Sequence, residues 1–411
     1  MGWKMKKQIL MEYRKLWNKI AGVAVIAMCV VVILHLLIYS NLQYRSIDSQ
    51  GQIVEGLASH RTLREATKDL VGVMDGEYIQ NLITSYNSSF DKEYLAEHRG
   101  YLGTGGMTKY MVPNYFINYA YFGQYMSNGN ENVGLDYDFL ESEERFYATY
   151  KETVKEHLAE GNILSNMYTD EQLLVLYDMV DNLKTPYSTG YFDGLSMLRA
   201  WYILDYSLVF YVLAFGLAGL FSKDNAGGVT ELTLSSRYGR KKNLNARWIA
   251  GNMFIASVFM IYLGTQIVVN GLIGTLDGWN MSAQMMWFTC LYNMKFGTGL
   301  NIMFTGGLLG ALAVGNIVML ISMKTKNMKL AAALSIIVVY VIVKTENMYS
   351  LIGKFMFISP INFEKDYLIE MFLFIGKTAL PWFIVIFALT VLYVAILYIG
   401  IRLSYKKYHI N

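Results

Sequence analysis

The sequence predicts an α-helical integral membrane protein: six transmembrane helices, with a mainly helical extracytoplasmic domain inserted between the first two. Apolar residues make up 54% of the 411 and charged residues 16%, whereas soluble domains carry about a quarter charged. Charge is also partitioned along the chain. Between Asn41 and Leu198 there are 11 Lys and Arg against 23 Asp and Glu, and elsewhere 24 against 9. Long apolar runs alternate with short basic segments in the rest, the pattern of loops held on the cytoplasmic side of a membrane.

Residues 1–19 hold Lys4, Lys6, Lys7, Arg14, Lys15 and Lys19 with one acid, Glu12, and read as a cytoplasmic segment. Residues 20–39 are then apolar apart from His35, and about 20 residues cover the hydrocarbon core. A cleaved signal peptide has a shorter apolar run and a small-residue cleavage site, so this is an anchor with its N-terminus inside. His35, near the outer end, reads as an interfacial residue in preference to a proton carrier.

Residues 41–196 are polar enough to fold in water and show helical periodicity. Tyr78, Ile79, Leu82, Ile83 and Tyr86 share one helical face. Leu173, Leu176, Tyr177, Val180 and Leu183 share another, behind a Thr169 to Gln172 capping box. The aromatic stretch Tyr110–Tyr125 suits a core, or else a platform for an apolar or cationic ligand. The two cysteines, Cys29 and Cys290, leave this acidic region without a disulfide, which fits a bacterial exported domain.

Residues 197–221 form the second expected span. A charge at mid-helix costs about 2.5–3.5 kcal/mol on the insertion scale, so Asp205 must face protein or water. That leaves it to bind a neighbouring helix, the preferred reading, or to line a pathway. Residues 222–248 are the one long polar interruption in the second half, with six basic residues against Asp224 and Glu231. Residues 249–401 hold spans three to six, with outer re-entrant or interfacial segments near 278–295 and 349–378, the second suiting two short helices. Gly306 and Gly310 form a GxxxG pair on the fourth span, which lets another helix approach closely. Residues 402–411 return to the cytoplasm.

Within residues 222–248, the run Glu231-Leu-Thr-Leu-Ser-Ser-Arg-Tyr-Gly-Arg240-Lys-Lys resembles the loop after the second span in ABC type 2 permeases, the membrane subunits of ATP-driven exporters. Glu231, Ser235, Gly239 and Arg240 match its acidic residue, Leu/Ser/Thr stretch and Gly-Arg pair, and Arg247 stands where the family more often has Lys. A proline common before the arginine is absent here, with Arg237-Tyr238 in its place. The start of the inserted domain, residues 48–83, loosely resembles the insert of such permeases from Gram-positive bacteria. A solvated basic loop that merely obeys the charge rule is the plainer account of the same residues.

The resemblance implies a coupling loop in which Glu231, Leu232, Ser235, Arg237, Gly239, Arg240 and Lys241 meet a dimer of separate ABC ATPase subunits. ATP would then bind the partner, with no cofactor, metal or catalytic residue on this chain. It also implies a homodimer or a pair with a related permease in the plasma membrane, both termini cytoplasmic. The outer domain and aromatic loops suggest an amphipathic or antimicrobial peptide, or a lipid-like compound, as cargo. No HExxH, GxSxG or CxxC occurs, so hydrolase and thiol-redox readings have no anchor. Gly376-Lys377-Thr378 looks like the end of a Walker A loop, but Met371 occupies its first glycine position. The basic residues are scattered among inner loops, so nucleic acid is not an expected partner. A membrane sensor with an outer ligand-binding domain is the first rival, and a secondary transporter, which usually shows internal repeats, is the second.

Overall fold

The apolar runs fold as long helices, and the described part of the polar segment between the first two packs against the connection between the helices Leu244–Ile273 and Phe296–Lys324. The computed structural model describes residues 2–42, 44–48, 52–87, 106–107, 142–159, 168–226, 242–325, 327–345 and 371–407. The chain opens with α1 (Gly2–Leu16) and α2 (Lys19–Leu42). The polar segment contributes β1 (Arg45–Ile47), β2 (Ile53–Glu55), α3 (Leu57–Ala66), α4 (Gly76–Asn87), β3 (Gly106–Met107), α5 (Glu143–Ala159) and α6 (Asp170–Asp181). Then come α7 (Phe192–Asp205), α8 (Ser207–Leu217), α9 (Gly219–Ala226), α10 (Leu244–Ile273), α11 (Phe296–Lys324) and α12 (Met328–Thr345). A hairpin of β4 (Phe372–Ile375) and β5 (Thr378–Pro381) leads into α13 (Trp382–Lys407).

Among the described residues, α2, α10, α11 and α13 are long and apolar enough to cross a membrane, and the α7–α8 pair adds a fifth if counted as one span. The helix α12 is apolar but shorter. Their outer faces are apolar too: on α2, Ala21, Val25, Met28, Val32 and Leu36 are buried, while Val23, Ile26, Leu34 and Ile38 are exposed. Such a surface is far more apolar than a protein facing water presents.

The expected second span is not one straight helix. It bends by 40° between Asp205 and Ser207. At that joint Tyr206 N–H donates to Ile203 O at 3.3 Å and Val209 N–H to Tyr206 O at 3.0 Å, the three-residue spacing of a tighter turn. A second break falls at Ala218, where Ser322 of α11 inserts its hydroxyl. Ser322 Oγ donates to Ala218 O at 2.7 Å and accepts from Phe221 N–H at 3.0 Å, so a neighbour's side chain replaces a rung of the helical ladder.

The central helix is α11, which packs against α8, α9, α10, α12 and α13. Small residues make this closeness feasible. A Cβ on Gly307 would collide with the Tyr202 hydroxyl and lie 3.1 Å from Phe259, and one on Gly315 would strike Ile255. Gly306 and Gly310, expected to mediate packing, are buried on the same helix.

In the polar segment the Thr169/Gln172 capping box is present, with Thr169 N–H donating to Gln172 Oε1 at 3.0 Å. Leu82, Leu176, Val180 and Leu183 are buried on the expected faces. A small mixed sheet is added: β1 pairs antiparallel with β2, Arg45 opposite Glu55, and parallel with β3. The segment is tied to the connection between α10 and α11. Ser282 N–H donates to Ser188 O at 2.9 Å, Tyr150 Oη to Phe288 O at 2.8 Å, and Lys184 N–H to Asn293 Oδ1 at 2.7 Å.

Residues 278–295 form an irregular, largely buried stretch with a single 3-10 turn at Ala283–Met285. The expected pair of short helices over 349–378 is corrected at its C-terminal part, where Phe372–Ile375 and Thr378–Pro381 are strands. Gly376, at φ +61°, and Lys377 make the hairpin turn. Glycine supplies that backbone conformation at no steric cost, so the Gly-Lys-Thr triplet here serves a turn. Residues 349–370 and Tyr110–Tyr125 lie outside the described residues.

Candidate functional site

The expected coupling residues Glu231, Leu232, Ser235, Arg237, Gly239, Arg240 and Lys241 lie outside the described residues, but both ends of their loop are described. The chain leaves the bundle through α9 and returns at α10, and one side chain holds the two ends together. Arg247, on the first turns of α10, donates from Nη1 to Leu220 O at 3.4 Å, and its guanidinium lies 5.9 Å from the centre of the Phe221 ring. On its other side Arg247 Nε is 3.7 Å from Glu12 Oε2 of α1, with both side chains buried.

Further polar side chains extend this junction across five helices. Gln8 Nε2 donates to Asn243 Oδ1 at 3.1 Å, and Asn243 Nδ2 to Tyr405 Oη at 3.3 Å. Trp248 Nε1 donates to Asn316 Oδ1 at 2.7 Å, and Asn316 Nδ2 to Asn252 Oδ1 at 2.9 Å. Tyr398 Oη donates to Asn245 Oδ1 at 2.8 Å. The network thus links α1, α9, α10, α11 and α13 at the root of the loop.

A second polar cluster sits at the bend of the second apolar run. Asp205 is buried, and its Oδ1 lies 2.9 Å from His35 Nδ1 of α2. The His35 ring packs edge-on against Trp201 with centroids 4.5 Å apart. From α10, Gln266 Nε2 donates to Trp201 O at 3.3 Å and Tyr262 Oη donates to Tyr202 O. Tyr206 Oη donates to Gly307 O of α11. Asp205 thus binds a neighbouring helix, and the cluster joins α2, α7, α10 and α11 at the joint of α7 and α8. Asp205 Oδ2, Gln266 Oε1 and Tyr202 Oη are buried without a hydrogen-bond partner.

The sequence reading singled out Asp205 and considered His35 alone, as an interfacial residue. It did not bring the two together, because a pairing across 170 positions leaves no local pattern. Glu12 carried a usable signal as the single acid in a basic N-terminal segment. Ser322 and Gln266 carried none, since one polar residue in an apolar helix is common where helices pack.

No protein-family model, curated protein or solved structure matches the chain. Functional inference therefore rests on the residues themselves.

Proposed function

We propose that the chain is the membrane subunit of an ATP-driven exporter of the ABC type 2 class, paired as a homodimer or with a related permease. In this reading α2, the bent run α7 to α9, α10, α11, α12 and α13 make six spans. The helix α12, 18 residues long, is about 27 Å at about 1.5 Å per residue and suffices with modest bilayer thinning. Both termini and the 222–248 loop then face the cytoplasm of a bacterium, Gram-positive by the loose likeness of its insert, and the polar segment faces outward.

The observation that carries the reading is the clasp at the root of the basic loop. The segment from Glu231 to Lys241 lies between two chain ends held together by Arg247, Leu220 and Glu12. A motor that pushes on such a loop moves several helices at once, whereas a merely solvated loop needs no buried charge pair at its base. Two ATPase subunits would grip the region around Thr230 to Ser236, with Arg237, Arg240 and Lys241 facing acidic or carbonyl groups. Their closure on ATP would tilt the spans. The cargo is an amphipathic peptide or a lipid-like compound, by the chemistry of the outer domain.

The test is the double variant Glu231→Ala with Arg240→Ala in the native membrane. Transport-coupled ATP hydrolysis should fall at least tenfold while the permease stays at its normal level. Unchanged coupling would refute the reading. A membrane sensor is separated by co-purification: it brings down a kinase or regulator, and an exporter subunit brings down an ATPase.

A further inference from the structure

A cleft of about 380 Å³ opens between α3 and the turn that follows α10. Arg64, on the last turn of α3, and Lys68, in the 3-10 turn that follows it, line one wall. Asp277, Trp279 and Asn280 line the other, and Tyr191 also lines the cleft. We propose that this cleft binds a zwitterionic phosphodiester headgroup, the phosphate on Arg64 and Lys68 and the ammonium on Asp277 and Trp279. The proposal rests on reading α10 as a membrane span, because that span ends at Ile273, and a Cβ placed on the next residue, Gly274, would lie 3.9 Å from Arg64 Nη1. The cleft then sits at the level of lipid headgroups.

Three features select this chemistry. First, Arg64 and Asp277 pair with each other across the cleft at 44% and 48% side-chain exposure. A half-exposed pair contributes little, so a ligand carrying both charges can replace it and leave neither charge unmatched. An anion alone would face the released Asp277, and a cation alone the released Arg64.

Second, the aromatic wall suits an ammonium group, which is attracted to the face of a tryptophan ring. Tyr191, also in the lining, has its hydroxyl committed to His60 O at 3.3 Å, which leaves Trp279 as the ring for the ammonium. Third, Gly278 lets the turn after α10 close on the Tyr191 backbone at the edge of the cleft. Gly278 has φ +102°, and a Cβ there would lie 2.5 Å from Tyr191 O. Below the cleft, Val268 and Leu272 on the last turns of α10 are 60% and 76% exposed, an apolar surface on which acyl chains can lie.

The test uses the full chain in phospholipid-free detergent, with no ATPase present, so its outcome is independent of the exporter reading. Glycerophosphoethanolamine should bind saturably by calorimetry, and glycerol 3-phosphate and ethanolamine at least tenfold more weakly. Arg64→Gln and Asp277→Asn should each weaken binding tenfold or more with an unchanged thermal midpoint. Lys68→Gln, at a position 64% exposed whose ammonium pairs only with the exposed Glu65, should weaken it about threefold.

Native mass spectrometry then separates the sources. Phosphatidylethanolamine retained by the wild type and lost from Asp277→Asn assigns the cleft to membrane lipid. Soluble binding without retained lipid assigns it to a free headgroup compound of the same chemistry. No binding to folded wild-type protein, or equal binding by the wild type and all three variants, overturns the proposal, as does glycerol 3-phosphate binding as tightly as the zwitterion.

Discussion

Glu12 and Arg247 face each other at 3.7 Å in a buried setting, joining the N-terminal helix to the first turns of α10 where the basic loop rejoins the bundle. Lys15 also reaches Glu12, at 2.7 Å, but from an exposed position. Removing one partner of a buried pair leaves a charge without compensation, at a cost of about 3–5 kcal/mol. Glu12→Gln or Arg247→Met alone should therefore lower the midpoint of chemical unfolding markedly. The double variant should recover a large part of the loss, because replacing both partners by uncharged side chains strands no charge. Equal losses from the single and double variants would show that the pair is not a unit.

Gly307 and Tyr202 give a second test, on the packing of α11 against α7. An added Cβ at Gly307 meets the Tyr202 hydroxyl, and overpacking of this kind costs about 1–3 kcal/mol. The hydroxyl has no hydrogen-bond partner, so Tyr202→Phe removes the obstacle without breaking a bond. Gly307→Ala should destabilise the protein in a thermal melt, and Gly307→Ala with Tyr202→Phe should regain most of that loss. An additive double variant would mean the two positions do not touch.

His60 supplies a pH signature in the polar segment. Its ring is buried, stacks on Tyr44 at 3.7 Å, and has no hydrogen-bond partner on either nitrogen. Burial alone lowers its pKa from 6.5 to about 4. Between those values the unfolded chain binds the proton and the folded chain does not. The contribution of the neutral ring is therefore complete above the unfolded value and is lost progressively as pH falls toward about 4. The total is about 3 kcal/mol. Melting midpoints recorded from pH 7.5 to 4.5 should fall on acidification in the wild type and fall less steeply in His60→Phe. A parallel fall in both would remove His60 as the cause.

Much of the bundle was legible because apolar runs of 20 or so residues have few ways to fold. The ranges Lys19–Leu42, Leu244–Ile273, Phe296–Lys324 and Trp382–Lys407 sit where hydropathy and charge placed spans. The Thr169/Gln172 box was legible for a local reason, since both partners lie within one helical turn. The bend at Tyr206 was not, because it depends on hydroxyl and backbone partners contributed by α10 and α11. Strands of two to four residues, such as Gly106–Met107 and Phe372–Ile375, are too short for alternation to register. The same limit hid the cleft at Arg64 and Asp277, whose walls are 213 positions apart.

The functional account depends on which side of the membrane carries the loop between α9 and α10. The most direct measurement replaces Cys29 and Cys290 with alanine, introduces Ser236→Cys, and treats intact cells with a membrane-impermeant maleimide. The account predicts no labelling until the cells are permeabilised, and full labelling afterwards. Labelling of intact cells would put the loop outside, where no ATP-driven partner could reach it, and would contradict the account.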